Sequence, residues 1–217
     1  LYGYMATMTG AEIEVSNDRY FRTSELLCCL TDTPRTNLNY YYPKISRPYR
    51  YVRFTPPPPA YPTADCRAEI AELAFFDSVD SEEHLPSKAI YGGGPVDENP
   101  AHDIDKACDD DWLTFYYSSG PRDSIVLDLQ RASTIKKVLF VPRNDDNFIT
   151  PGNVYELFYQ SGVKGWISLG VQTATTNELV YRNIPEGALL WLRNLTRGKE
   201  EQVFYVENGE QKFVGYE

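Results

Sequence analysis

Along most of the chain apolar and polar residues alternate one for one, the period of a strand with one buried face and one wet face. Ala11, Ile13 and Val15 alternate with Glu12 and Glu14, and Ser16, Asn17 and Asp18 follow as turn residues. The same reading predicts strands at 26–30, 38–42, 49–54 and 70–76. Ile125, Leu127 and Leu129 resume the alternation, with further strands expected at 135–141, 154–159, 166–169, 179–182, 189–195 and 203–206. Asn208-Gly209 then marks a two-residue hairpin turn, and 210–214 is the returning strand. No useful window carries helical periodicity. Short strands at this spacing predict an all-β fold, an antiparallel β-sandwich.

The breaks in the pattern suggest an organisation. Pro56 to Pro59 and then Pro62 cannot donate to a ladder, so they form a rigid extended loop. Residues 78–87 are polar and read as a linker, and Gly92 to Gly94 as a flexible connection. There is also an internal echo. The segments 11–16, 49–54 and 71–76 resemble 155–159, 189–193 and 200–205 in wording and order. The later set follows a long run of strands and loops; the earlier set has almost nothing before it. Half a sheet would expose edges and an apolar face. Residues 1–79 are therefore expected to be the C-terminal half of a truncated sandwich, 80–87 a linker and 88–217 a complete sandwich. The chain is expected to be part of a longer protein.

Composition narrows the partners. Acidic residues number 31 against 21 basic ones, a net charge of -10 and a pI near 4.8. That balance argues against nucleic acid, whose binding rests on Lys and Arg displacing counterions. The 17 Tyr, 10 Phe and 15 Pro suit strands and turns rather than helices. No window approaches the roughly 18 apolar residues of a membrane helix, so no transmembrane segment is expected. Residues 1–10 lack the basic start and apolar run of a signal peptide. Cys28 and Cys29 are adjacent, so a strand points them to opposite faces, and no Cys-x-x-Cys pair offers zinc a site.

Five runs follow one family pattern: Asp109-Asp-Asp-Trp-Leu-Thr-Phe115, Ile125-Val-Leu-Asp-Leu129, Phe140-Val-Pro-Arg143, Tyr155-Glu-Leu-Phe-Tyr159 and Leu189-Leu-Trp-Leu-Arg193. Together they resemble the discoidin, or coagulation-factor type C, domain, a jelly roll of the galactose-binding-like class. The resemblance covers residues 88–217, and 11–79 are similar to the second half of the same family. The wording of Pro142-Arg-Asn-Asp-Asp-Asn147 and Leu192-Arg-Asn-Leu-Thr-Arg-Gly-Lys-Glu200 is similar to discoidin-like modules on surface and secreted proteins of gut bacteria. It implies a secreted or cell-surface location, other domains in the parent protein, and non-catalytic binding of glycans, proteins or lipid surfaces.

Two loops carry the candidate chemistry. Asp109, Asp111 and Thr114 place hard oxygens on one tight loop, as calcium requires. An EF-hand reading fails, because counting from Asp103 puts Cys108 at the glycine position and Thr114 at the closing glutamate. The resemblance implies a structural Ca2+ here, with a carbonyl from Lys106 and a closing carboxylate from Glu201. Asp110 departs from it, standing where the family usually has Gly. The alternative for the loop is a solvated acidic turn whose aspartates cap local N–H groups.

The second loop is Arg143, Asn144, Asp145, Asp146 and Asn147, at one rim after a strand. Forked donors, amide or carboxylate acceptors and an aromatic face together recognise sugars. Arg143 and Asn147 match sugar-contacting positions in some relatives, and Trp112, Tyr116 and Tyr117 are the nearest aromatics. The plainer alternative pairs Arg143 with Asp145 or Asp146 and lets Asn144 shape the turn. Trp166 and Trp191 read as sheet-packing residues, and Asn194-Leu-Thr196 as an incidental glycosylation triplet. No Gly-x-Ser-x-Gly, His-Glu-x-x-His or Cys/His pairing is visible, so an enzyme is not expected. The expected function is a carbohydrate-binding module. The alternative is a structural or protein-interaction sandwich that spaces a catalytic or adhesive domain.

Overall fold

The computed structural model describes residues 7–35, 38–59, 66–95 and 97–214. Pro62 and the first six residues, which figure in the sequence expectations, lie outside them. The chain is all-β and antiparallel, as the alternation predicts, and divides into two compact units, Leu1–Asn147 and Phe148–Glu217.

In the first unit the strands are β1 (Glu12–Ser16), β2 (Glu25–Cys29), β3 (Asn39–Tyr41), β4 (Tyr49–Thr55), β5 (Glu69–Phe76), β6 (Lys88–Tyr91), β7 (Tyr116–Tyr117), β8 (Ile125–Ser133) and β9 (Lys137–Pro142). They make a five-stranded sheet, β2-β1-β4-β8-β6, and a four-stranded sheet, β3-β9-β5-β7. From β3 to β9 successive strands alternate between the two sheets, so each connection crosses the sandwich. Ile13, Val15, Val52, Phe54, Ile125, Leu127 and Leu129 of the larger sheet meet Ile70, Leu73, Phe75, Val138 and Phe140 of the smaller one in a single core. Alternating apolar positions thus form a closed interior, the reason these segments become strands at all.

The expected boundary at 80–87 is not where the units divide. That segment joins β5 to β6 within the first unit, and the division falls at Asn147/Phe148. The cause lies in pairing: β4 ladders with β8, placing Val52 opposite Leu127 and Phe54 opposite Ile125, and β5 ladders with β9. Strands from residues 12–76 and from 88–142 complete one another's sheets.

The second unit contains β10 (Val154–Gln160), β11 (Trp166–Thr173), β12 (Leu190–Asn194), β13 (Lys199–Glu200), β14 (Phe204–Glu207) and β15 (Glu210–Phe213) in one sheet, ordered β11-β10-β12-β14-β15 with β13 beside β12. Asn208 and Gly209 turn β14 into β15 with φ of 53° and 81°, the doubly positive turn that the Asn-Gly pair favours. Residues 179–182 form no strand, whereas the short β6, β7 and β13 escaped the periodicity because two to four residues carry too little pattern. One face of this sheet buries Tyr155, Leu157 and Leu190; the other presents Phe158, Trp166, Trp191 and Arg193.

Candidate functional site

The two candidate loops of the first unit meet at one rim of the four-stranded sheet. Strand β9 ends as the Arg143 N–H donates to the Glu69 carbonyl at 3.0 Å. A tight turn follows, with Asp145 and Asp146 at φ of 48° and 62°, a left-handed conformation that Asp tolerates better than most residues. Asn144, only 2% exposed, sits at its centre. Its amide donates to the Trp112 carbonyl at 2.8 Å, and its Oδ1 accepts the Asp146 N–H at 2.8 Å. One buried side chain therefore ties the 109–115 loop to the 143–147 turn. Asn144 shapes the structure rather than facing a ligand.

Arg143 occupies the outer part of this rim. Its Nε donates to Asp145 Oδ1 at 2.8 Å and Nη1 to Glu69 Oε2 at 3.1 Å, while its guanidinium carbon lies 4.7 Å from the centre of the Phe115 ring. Phe115 is stacked on His102, with centroids 4.2 Å apart, and Tyr117 lies 6.4 Å away. His102 Nδ1 is 2.7 Å from Asp97 Oδ2. A forked cation is thus held between two carboxylates over an aromatic group. The sandwich leaves Asp146 and Asn147 half-buried on the same turn, where the Asn147 N–H donates to the Asn144 carbonyl at 2.8 Å. Tyr116, named as an aromatic candidate, is 0% exposed; its hydroxyl donates to the Gly93 carbonyl at 3.1 Å, and its ring belongs to the core. Tyr117, one residue on and on the opposite face of β7, is half-buried.

The 109–114 loop satisfies itself. Asp109 Oδ1 accepts the Asp111 N–H at 3.2 Å, and Oδ2 lies 3.2 Å from the Lys106 ammonium. The Thr114 hydroxyl stands 3.1 and 3.0 Å from the two Asp109 oxygens, and Asp111 Oδ1 accepts the Leu113 N–H at 3.0 Å. Asp110 adopts φ of 62°, the left-handed conformation that glycine enters most readily. Glu201 belongs to the second unit, where its N–H donates to the Leu192 carbonyl at 2.9 Å and its carboxylate pairs with Lys199 at 3.2 Å. In this arrangement the Lys106 ammonium pairs with Asp109 at 3.2 Å. Among the described residues no three His, Cys, Asp or Glu side chains converge on a metal position.

Glu72 was not foreseen. Register shifts between Ile70 and Glu72 where β5 pairs with β9, and this bulge re-aims one side chain. The carboxyl is 2% exposed, accepts the Asp110 N–H at 3.0 Å, and is pushed by burial up to about 8. His84 Nε2 closes the outside of the same turn, 2.9 Å from Asp110 Oδ1. Nothing in the alternation of 70–76 distinguishes a bulged glutamate from an outward-facing one. Glu69 and Phe115 were equally illegible, because their roles depend on β9 and β7 lying beside β5. Cys28 and Cys108 are partly buried, and burial pushes their thiols up to about 12 and about 11.

No protein-family model, curated protein or solved structure matches the chain.

Proposed function

We propose that the chain is a non-catalytic carbohydrate-binding module of a larger secreted or cell-surface protein, of the discoidin-like, galactose-binding-like class that its sequence resembles. The observation that carries this reading is the Arg143 clamp: a partly exposed guanidinium fixed by Glu69 and Asp145 above Phe115, with Tyr117 and Trp112 on the same rim. Sugar hydroxyls donate and accept at once, so a fixed Arg–Asp pair beside aromatic rings supplies both partners and an apolar backing. The clamp holds the pair in place before binding, which lowers the ordering cost of a shallow site. A jelly-roll connectivity suits strands that alternate between two sheets from β3 to β9.

A single site of this depth binds weakly, with dissociation constants on the order of 0.1–1 mM. The test is a glycan array followed by calorimetry on the wild-type chain and Arg143→Ala. Loss of binding in the variant supports the rim; undiminished binding places the site elsewhere. Failure to bind any glycan favours the spacing or protein-interaction role.

A further inference from the structure

The second unit carries an aromatic surface of its own. On the exposed face of its sheet, Phe158 lies directly opposite Trp191, and Gln160 opposite Trp166. The ring centroids of Phe158 and Trp191 are 5.6 Å apart, and those of Trp191 and Trp166 5.5 Å apart, giving a continuous aromatic strip across three strands. Trp166 is 37% exposed and sits on β11, the edge strand. A buried sheet face would account for three large aromatics. Here the neighbouring positions on β11, Ser168, Val171 and Thr173, are exposed, so the strip lies on the solvent side.

Charge completes the strip. Arg193 stands opposite Glu156 on β10 and Glu200 on β13, and its guanidinium carbon is 5.3 Å from the Trp191 ring centre. Unlike Arg143, it makes no hydrogen bond to either carboxylate: the nearest approach is 3.6 Å, to Glu200, and its buried Nε has no acceptor among the described residues. The cation is therefore oriented by a ring and held only in a loose ion pair with Glu200, without a hydrogen bond. Its side chain is 38% exposed.

We propose that this strip is a second carbohydrate site, in which the C–H face of an uncharged pyranose stacks on Trp166 and its hydroxyls meet Arg193, Glu156 and Glu200. Aromatic faces attract polarised C–H groups as they attract cations, and the mixed charges match neutral hydroxyls better than an anion or a cation. An edge strand leaves the ring accessible to an extended chain of sugars. With the rim site on the first unit, the strip would make one chain bivalent, and avidity rather than single-site affinity would retain a polymer. The strip stands on its own residues and does not require the rim to bind.

The experiment is affinity electrophoresis of the full chain in gels containing galactomannan, xyloglucan or arabinogalactan, with tryptophan emission read in parallel, since two of the 3 tryptophans belong to the strip. At least one polysaccharide is expected to retard the wild type and shift its emission. Trp166→Ala is expected to weaken that binding by about tenfold or more, Arg193→Gln by less, and Trp166→Phe to retain most of it. The phenylalanine variant separates loss of stacking from loss of fold. Retardation unaltered by Trp166→Ala, or no retardation by any of the three, overturns the strip. Binding abolished by Arg143→Ala and untouched by Trp166→Ala would overturn it while upholding the rim.

Discussion

Phe54 and Phe140 stack face to face across the first sandwich, their ring centroids 5.5 Å apart and their planes within 7°. The two rings are fully buried, one from β4 in the five-stranded sheet and one from β9 in the four-stranded sheet. They join segments that the sequence reading placed in different sandwiches. This pair therefore tests the architecture directly. Truncating either ring to Ala removes burial and leaves a cavity, at about 3–5 kcal/mol, a large share of the stability of a single domain.

The same relationship predicts how fragments behave. If 88–217 were a self-sufficient sandwich, it would fold alone; in the structure β8 and β9 find their central partners β4 and β5 before residue 80. A chain beginning at residue 80 is expected to lack a cooperative thermal transition, and adding a separate 1–79 fragment is expected to restore it. A sharp transition in 80–217 by itself would show that the later segment closes its own sheets.

Asn144 predicts a local effect at the rim. Asn144→Ala leaves the Trp112 carbonyl and the Asp146 N–H without their buried partner, costing about 1–3 kcal/mol. Hydrogen exchange should quicken at 112–115 and 144–147 together, because one side chain links them. Faster exchange confined to the 143–147 turn would mean that the two loops are held independently.

Glu72 makes stability depend on pH with a sign opposite to that of an ion-paired carboxylate. Burial raises its folded value to about 8 from the ordinary 4.5, so between these values the folded chain holds a proton that the unfolded chain has lost. Stability contributed by the neutral carboxyl is fully present below about 4.5 and declines as pH rises toward 8, at a limit of roughly 1.4 kcal/mol per unit. Glu72→Gln keeps an acceptor for the Asp110 N–H and cannot ionise. The variant should melt with the wild type near pH 5 and above it near pH 9. Parallel melting profiles across that range would remove Glu72 as the cause.

What could be read from the sequence was what local pattern encodes. Alternation at 11–15 and 125–129 located β1 and β8, and Asn208-Gly209 located its hairpin, because both depend on near neighbours in the chain. Pairing between β4 and β8 does not, so the unit boundary was missed. At the site, the polar loop 143–147 was legible as a rim, yet which residue would be swallowed was not. Asn144 and Tyr116 are buried by partners far away in sequence, Trp112 and Gly93, and Arg143 meets Glu69 only because β9 runs beside β5. Trp166 and Trp191 were read as packing residues since period two assigns them a shared face without saying which face is wet.

Calcium gives the sharpest contrast between family resemblance and local geometry. The resemblance implies an ion held by the Lys106 carbonyl, Asp109, Asp111, Thr114 and Glu201. In the structure the Lys106 ammonium sits 3.2 Å from Asp109 and supplies the positive charge itself. An ion would have to displace that ammonium and the Asp111 and Thr114 hydrogen bonds that Asp109 accepts. Melting curves in chelator and in millimolar calcium are therefore expected to superimpose. An ion present at about a hundred times its dissociation constant would instead add about 2.7 kcal/mol to the folded state. A clear upward shift with calcium, lost in Asp109→Asn, would show that the loop opens and that Lys106 yields its place to the ion.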